Sequence, residues 1–283
     1  MLFEFHYKIG IFVPDFKKTM KMDTLQAIIL GIVQGLTEFL PVSSSGHLQL
    51  ANEILGTDLN PDSSLTFSLA LHAATVLSTI VVLHTEVMSL LRGVFSTTYN
   101  KEQAYLVKII ISMIPVGIVG FCFMEYVEAA FSSTLVVGVM LLLTALLLTF
   151  SYYAKPRVKE DISYRDAFII GVAQAVAVMP GLSRSGSTIA TGLLLGNKKD
   201  NVAQFSFLMV LPPIIGNALL DVLKDDFGGG VELLPLVCGF VAAFVTGCLA
   251  CRFMIEIVKR GRLIWFAIYC LVVGLVAIGC SIF

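Results

Sequence analysis

Long apolar stretches alternate with short polar segments along most of the chain. About 20 helical residues cross the hydrocarbon core of a bilayer, and six of the apolar stretches are close to this length. We expect full spans near residues 65–83, 105–124, 134–153, 203–223, 231–250 and 263–282. The pattern therefore predicts an all-α polytopic membrane protein.

Two further apolar segments are shorter and are interrupted by polar residues. The first runs from Thr24 to Leu40, is broken by Pro41, and continues as a short piece at residues 48–55. Neither piece is long enough to cross a bilayer comfortably, so we expect a re-entrant helical hairpin. The segment that begins at residue 166 has the same form and predicts a second hairpin.

Composition agrees with a membrane protein. The chain is 57% apolar and only 14% charged, with a mean hydropathy of +0.89, whereas soluble domains are about one quarter charged. The net charge of −1 gives no basic surface for nucleic acid. Residues 1–22 lack a clear signal peptide, and we interpret them as an N-terminal extension that precedes a single membrane domain at 23–283.

The two hairpin segments are related in sequence. Residues 26–46 read QAIILGIVQGLTEFLPVSSSG and residues 166–186 read DAFIIGVAQAVAVMPGLSRSG, at a constant offset of 140. The identical pairs are Ala27 and Ala167, Gly31 and Gly171, Gln34 and Gln174, Ser43 and Ser183, Ser45 and Ser185, and Gly46 and Gly186. We interpret this as an internal repeat, with repeat 1 at about 23–124, repeat 2 at about 163–250, and additional spans at about 134–153 and 263–282.

The number of spans between the copies predicts an inverted repeat. Three full spans separate the hairpins, and an odd number turns the second copy over, as in many transporters. Nearly all Lys and Arg outside the N-terminal extension fall in loops on one side, at 84–104, 154–165, 197–202 and 251–262. The positive-inside rule makes this side cytoplasmic. The first hairpin then enters from outside, the second from inside, and their tips meet near mid-membrane.

The first tip, residues 34–47, reads QGLTEFLPVSSSGH. Gln34 and Glu38 are four residues apart, so they lie on one face of a helix. Pro41 ends that helix and frees the backbone N–H groups of the serines that follow it. Ionisable groups at membrane depth are costly and usually functional. We therefore expect the chemistry here.

The second tip, residues 180–188, reads PGLSRSGST. Arg184 at membrane depth needs an anionic partner, and its guanidinium is suited to bidentate phosphate binding. Together the tips offer a phosphate clamp, a nucleophile, a proton carrier and a hard oxygen ligand for Mg²⁺ or Ca²⁺. This set suits phosphoryl transfer, where positioning and charge neutralisation dominate.

Both tips resemble the signatures of the bacterial undecaprenyl-pyrophosphate phosphatase family (the bacitracin-resistance protein). One signature is (E/Q)xxxE leading into PVSS(S/T)GH, and the other is PGxSRSxxT. The resemblance implies hydrolysis of undecaprenyl diphosphate to undecaprenyl phosphate and phosphate, which recycles the lipid carrier for cell-wall synthesis and gives bacitracin resistance. It also implies a divalent cation (Mg²⁺ or Ca²⁺) and the bacterial inner membrane, with an active site open to the periplasmic face.

Residue roles follow from the same resemblance. Glu38 matches an acid of the first signature, Ser44 the proposed nucleophile, His47 the proposed acid/base and Arg184 the phosphate-binding arginine. The cation ligands would be Glu38 and Gln34, although many members carry glutamate at the position of Gln34. The expected substrate-binding residues are Ser43, Ser45, Gly46, Ser183, Ser185, Gly186 and Thr188.

Several alternatives stay open at this level. The Glu38–Arg184 pair could serve only to pin the hairpins together, and water could attack in place of Ser44. His72 is interpreted as a packing residue and Gln174 as a bridge between helices. A lipid flippase or transporter is the main competing function, because inverted repeats with broken helices are a transporter plan. The KxxxxxxRP signature of another phosphatase superfamily is absent, and the oligomeric state is not indicated.

Overall fold

The computed structural model describes residues 22–57, 61–131, 133–154, 159–216 and 232–282. Within these ranges the chain is helical and forms no β-strand. The helices are α1 (Thr24–Phe39), α2 (Ser44–Leu55), α3 (Pro61–Val82), α4 (His84–Val94), α5 (Lys101–Cys122), α6 (Met124–Phe131), α7 (Thr134–Tyr153), α8 (Tyr164–Val176), α9 (Arg184–Leu194), α10 (Lys199–Leu208), α11 (described over 211–216), α12 (Leu233–Arg260) and α13 (Ile264–Ile282).

The described helices make a multi-pass membrane protein. Four of them, α5, α7, α12 and α13, are long and apolar enough to cross a bilayer. A fifth crossing is obtained if α3 and α4, which meet at 84°, are counted as one bent span. The predicted spans at 105–124, 134–153, 231–250 and 263–282 correspond to the four long helices, whereas the number six stays a prediction.

Three segments that were predicted as loops are partly helical. Helix α4 lies within the predicted loop 84–104, α6 covers most of 125–133, and α12 continues through most of 251–262. Charged residues led to these wrong assignments, but charges also stabilise exposed helices. Glu86 in the first turn and Arg92 in the last turn of α4 complement the helix dipole, and Arg260 Nε lies 2.7 Å from Glu256 Oε1, four residues earlier in α12.

The predicted span 203–223 is interrupted where the structure describes it. Helix α10 ends at Leu208, and a turn at residues 209 and 210 separates it from α11. Pro212 and Pro213 have no backbone N–H, so they cannot form the hydrogen bonds that would continue α10 through this point. The predicted N-terminal extension up to residue 21, the tip of the 57–64 turn, and residues 217–231 lie outside the described ranges.

Each broken helix begins and ends as its sequence dictates. Gln26 Oε1 accepts a hydrogen bond from the Asp23 N–H at the start of α1, and Ser163 Oγ accepts one from the Asp166 N–H at the start of α8. Helix α1 stops at Phe39, and Leu40, which precedes Pro41, is extended. A short turn at residues 40–43 joins α1 to α2, and a turn at residues 177–183 joins α8 to α9.

Glycines let α1 and α8 pack closely on long spans. A Cβ atom at Gly31 of α1 would overlap the carbonyl oxygen of Gly239 in α12. Its repeat equivalent, Gly171 of α8, would likewise overlap the carbonyl oxygen of Ser112 in α5. Because both broken helices are held against long spans, their tips are placed deep inside the helical body.

Candidate active site

Three polar side chains from the two tips surround the carboxylate of Glu38. Glu38, on the last turn of α1, is almost buried, with a side chain 7% exposed. Its Oε2 accepts hydrogen bonds from Ser44 Oγ at 2.8 Å and from Gln34 Nε2 at 3.1 Å. Arg184, the first residue of α9 in the other tip, places NH1 3.9 Å from Glu38 Oε1. The expected meeting of the two tips is therefore present in the structure.

Direct contacts hold the two tips together. Ser185 Oγ donates to the carbonyl oxygen of Leu40 at 3.1 Å. Thr144 of α7 accepts a hydrogen bond from the Ser183 N–H at 3.0 Å. Gly181 has φ +87°, and its backbone lies directly against Val137, where a Cβ atom would not fit. Since Ser183, Ser185 and Thr144 are buried, the relative position of Glu38 and Arg184 is built into the packing.

A cavity of about 630 Å³ opens from the tips. Ser43, Ser44 and Ser45 of the first tip line it, together with Arg184 of the second. Glu38 lies behind Ser44 and lines a small adjoining pocket of about 20 Å³ with Arg184. The remaining wall of the large cavity is mostly apolar, from Leu30, Leu48, Phe67, Leu71, Val116, Val127, Val178, Leu182 and Ile214 among others. Such a cavity suits an anionic head group that carries a hydrocarbon chain.

The imidazole ring of His47 forms its hydrogen bonds with residues other than Ser44. Its Nδ1 lies 2.9 Å from the carbonyl oxygen of Ser43, and its Nε2 lies 2.7 Å from the hydroxyl of Tyr269 in α13. The His47 and Tyr269 rings also stack, with centroids 5.6 Å apart. Because a carbonyl oxygen can only accept, Nδ1 carries the hydrogen, and His47 holds the backbone of the first tip.

The backbone at that point is strained. Ser43 has φ 72° and ψ 97°, which non-glycine residues rarely adopt. Strain of this kind is typical of functional sites, where the surrounding structure enforces it. The hydrogen bond from His47 Nδ1 to the Ser43 carbonyl is one such constraint, and it fixes where Ser44 begins α2.

Most of the other predicted substrate-binding residues support the tips and do not line the cavity. Ser183 Oγ accepts a hydrogen bond from the Gly186 N–H at 3.1 Å and caps α9. Thr188 is fully buried, with Oγ1 2.6 Å from Ser206 Oγ. Gly46 and Gly186 let the tips approach Val137 and Pro41. Among the predicted set, Ser43 and Ser45 line the large cavity.

The sequence interpretation missed several cavity residues. His72 lines the cavity, although it was expected to be a packing residue. Gln174 also lines it, and its Nε2 donates to Met113 Sδ of α5 at 3.9 Å, which agrees with the expected bridge between helices. The sequence did contain a signal for His72. Polar side chains recur every three or four residues in this apolar span, so they share one face of the helix. They are Ser68, His72, Thr75 and Thr79.

The expected cation site fits the residues present. Among the described residues, no group of three or more His, Cys, Asp or Glu side chains could hold a metal ion. However, Gln34 is fully buried beside Glu38, and its Oε1 has no hydrogen-bond partner within the described part of the chain. One carboxylate, one amide oxygen and substrate phosphates form a ligand set that Mg²⁺ accepts.

Comparison with known proteins assigns the chain to a family. The family described as bacitracin resistance protein BacA matches residues 27–276. The undecaprenyl-diphosphatase of Parabacteroides distasonis is 60% identical, covering 92% of this chain and 99% of that protein. Those of Bacteroides fragilis and Christiangramia forsetii are 58% and 52% identical, each covering 91% of this chain and 98% of the relative. The chain therefore belongs to the bacitracin resistance protein BacA family.

Proposed function

We infer that this protein hydrolyses undecaprenyl diphosphate to undecaprenyl phosphate and inorganic phosphate. This activity recycles the lipid carrier for cell-wall synthesis and gives bacitracin resistance. Relatives that are 52–60% identical over nearly their whole length carry the name undecaprenyl-diphosphatase. The observation that carries the inference in this chain is the convergence of Ser44, Glu38 and Arg184 at a largely apolar cavity.

The geometry supports Glu38 as the proton acceptor for Ser44. The Ser44 hydroxyl already donates to Glu38 Oε2 at 2.8 Å, within the range required of a general base. As the Ser44 oxygen bonds to the terminal phosphorus, its proton passes to Glu38 and the anhydride P–O bond breaks, releasing undecaprenyl phosphate. Arg184 stabilises the charge on the phosphoryl oxygens. Water then attacks the phosphoserine, and Glu38 returns its proton to the leaving Ser44 oxygen.

The role of His47 as acid/base stays a prediction. Its two ring nitrogens contact Ser43 and Tyr269, so we assign it first to positioning the serine tip. In the alternative mechanism, water attacks the phosphorus directly and Ser44 only orients it. Replacement of Ser44 separates these two mechanisms, as described below.

A divalent cation, Mg²⁺ or Ca²⁺, would be held by Glu38 and Gln34. When bound, it neutralises charge on the diphosphate. This assignment is supported by the unpartnered Oε1 of Gln34 beside the carboxylate. We propose Ser43 and Ser45 as direct substrate contacts, and Gly46, Ser183, Ser185, Gly186 and Thr188 as the supporting parts of the substrate site.

The proposed architecture is an inverted repeat with six full spans and two re-entrant hairpins. It is supported by an exchange of partners between the repeats: α1 of repeat 1 packs on α12 of repeat 2, and α8 of repeat 2 packs on α5 of repeat 1. The repeat-related glycines Gly31 and Gly171 lie at these two contacts. We place the protein in the bacterial inner membrane, with the active site open to the periplasmic face, because the basic loops mark the cytoplasmic side.

The decisive experiment is phosphate release by purified protein in detergent. Undecaprenyl diphosphate should yield inorganic phosphate only with a divalent cation, and chelation should stop the reaction. Arg184→Ala should lower kcat by about 100-fold or more, as for other groups that stabilise transition-state charge. Arg252→Ala, which changes an exposed arginine of α12, is the matched control and should retain activity.

The same assay separates the enzyme from the competing flippase. A protein that only moves lipid across a bilayer cannot release phosphate where no bilayer exists. Absence of phosphate release from folded wild-type protein, with either cation, would contradict the proposed function.

A further inference from the structure

The last span, α13, contacts the first tip through two neighbouring side chains. Tyr269 places its hydroxyl 2.7 Å from His47 Nε2, and the two rings stack. Cys270, which is fully buried, donates its thiol hydrogen to the carbonyl oxygen of Pro41, with Sγ and oxygen 3.4 Å apart. Because Cys270 is held inside the helical body, the turn of α13 that carries Tyr269 is fixed against the tip.

The other additional span, α7, holds the second tip in a comparable way. Thr144 Oγ1 accepts a hydrogen bond from the Ser183 N–H at 3.0 Å and donates to the carbonyl oxygen of Gly181 at 3.4 Å. Helices α7 and α13 pack closely on each other, and a Cβ atom at Gly138 would lie 3.0 Å from the carbonyl oxygen of Gly274. One pair of packed spans therefore holds both tips.

Tyr269 is connected to Ser44 by a continuous series of contacts. Its hydroxyl contacts Nε2 of His47, and Nδ1 of the same ring donates to the carbonyl oxygen of Ser43. Ser43 is the strained residue with φ 72°, and Ser44 follows it as the first residue of α2. A phenol hydroxyl both donates and accepts, so it can hold Nε2 whether this nitrogen carries a hydrogen or a lone pair. The orientation of the imidazole therefore depends on Tyr269 in either state of the ring.

An exposed tyrosine in a membrane span can instead be an interfacial anchor. Tyr269 is 43% exposed, and the more exposed Trp265 lies four residues earlier on the same face of α13. An anchor, however, directs its hydroxyl to water or lipid head groups. The Tyr269 hydroxyl contacts a side chain 222 residues away along the chain, from a position about 8 Å beyond the start of α13. Anchoring does not explain this contact.

We infer that Tyr269 is a positioning residue for the nucleophilic step, which acts through His47 to keep the Ser43 backbone and the Ser44 hydroxyl in place. The inference rests on the proposed function and adds to it a residue that lies outside both tip motifs. Without the Tyr269 hydroxyl, the imidazole is free to turn and to release the Ser43 carbonyl. Ser43 then relaxes toward negative φ, and the Ser44 hydroxyl leaves its position beside Glu38.

Phosphate release in detergent measures this role, with radiolabelled undecaprenyl diphosphate so that slow variants remain measurable. Tyr269→Phe removes only the hydroxyl and keeps the ring that stacks on His47. It should lower kcat about three- to tenfold, the effect of one hydrogen bond. KM should be unchanged, because Arg184 and the apolar cavity wall are intact, and the unfolding temperature should change little.

Tyr152→Phe is the matched control. Tyr152 lies in the last turn of α7, is 46% exposed, and does not line the cavity. The variant therefore removes a hydroxyl from an equally exposed tyrosine of a span without touching the first tip. It should retain the kcat and the KM of the wild type.

A second substitution tests whether Tyr269 acts through the imidazole. His47→Asn keeps an N–H donor near the position of Nδ1 and loses Nε2. In this background Tyr269→Phe should cause no further loss of kcat, because the connection is already broken, whereas two independent effects would multiply. The inference is overturned if Tyr269→Phe has the kcat of the wild type. It is also overturned if the substitution lowers kcat by the same factor with His47 and with Asn at that position, or if the loss of kcat only follows a loss of folded protein.

The failure of this inference can be told apart from failure of the proposed function. Phosphate release is measured on the wild type in the same preparation series. If the wild type releases phosphate and Tyr269→Phe does so equally fast, the positioning role alone is wrong. If the folded wild type releases no phosphate, the proposed function itself is wrong.

Discussion

Individual residues show how one repeated motif can serve two tasks. Ser43 and Ser183 occupy equivalent positions in the repeat, yet Ser43 has φ 72° and Ser183 has φ −68°. Ser183 caps α9 through its side chain, whereas the Ser43 side chain forms no cap on α2. The strained tip carries the proposed nucleophile Ser44, and the relaxed tip carries Arg184.

This difference predicts opposite effects of the same substitution. Ser43→Gly should raise the free energy of unfolding by about 1 kcal/mol, because glycine adopts positive φ without strain. Ser183→Gly should lower it by about 1 kcal/mol, since the buried Gly186 N–H loses its acceptor. Thermal unfolding in detergent compares the two variants. Equal destabilisation by both would contradict the strain at Ser43.

Ser44 and Glu38 lead to a second prediction at this scale. Ser44→Ala should lower kcat about 100-fold or more if the serine is the nucleophile, with little change in unfolding temperature. Glu38→Gln should have a similar effect, because the amide cannot accept the proton. Phosphate release with undecaprenyl diphosphate is the measurement, and Ser89→Ala at an exposed site is the control. A substantial residual rate in Ser44→Ala would favour direct attack by water.

Helices place these residues through contacts that the local sequence only partly reveals. Charged stretches were predicted to be loops, but α4 and the end of α12 are helices whose charges lie on exposed faces. The broken helices behave differently, because α1 and α8 depend on glycine to approach α12 and α5. Their position, and therefore the position of both tips, follows from this close packing.

A larger side chain at one of these glycine contacts between helices should impair the active site, although the contact itself lies outside the site. Gly31→Val would force α1 away from the α12 backbone, and overpacking of this kind costs about 1–3 kcal/mol or more. We expect lower stability and reduced phosphate release, since Glu38 is carried on α1. Gly171→Val should act in the same way through α8 and α5. Gly120→Val is the control, because a Cβ there meets no other atom within 4 Å.

At the scale of the whole molecule, charge asymmetry and the repeat predict the orientation in the membrane. Glu53 lies near the end of α2 on the predicted outer side, and Asp161 lies in the basic segment of the predicted cytoplasmic side. Both residues are exposed. They therefore report on which side of the bilayer each end of the helical body faces.

Cysteine labelling tests this orientation. In a background with the exposed Cys122 and Cys280 replaced by alanine, an impermeant maleimide should label Glu53→Cys in intact spheroplasts. Asp161→Cys should be labelled only after the membrane is opened. The background without an added cysteine corrects for residual labelling. The reverse pattern would overturn the periplasmic opening, although it would leave the phosphatase chemistry untouched.

The sequence by itself determined the membrane class, four of the long helices and the two tips. Hydropathy is set locally by residue type, so an apolar run of sufficient length needs no tertiary information to be recognised. The tip residues could also be recognised from the local sequence, because Glu38 and Arg184 are ionisable groups in apolar surroundings. Their expected meeting is confirmed by the 3.9 Å separation of Arg184 NH1 and Glu38 Oε1.

Only the tertiary structure decided which groups face one another. It pairs Ser44 with Glu38 and turns His47 toward Tyr269, 222 residues away along the chain. It also brings His72 and Gln174 to the cavity wall. Sequence spacing shows which face of a helix a side chain occupies, but the partner on that face depends on how distant helices pack. The tertiary structure, and not the sequence spacing, therefore determines which side chain is placed to accept the proton of Ser44.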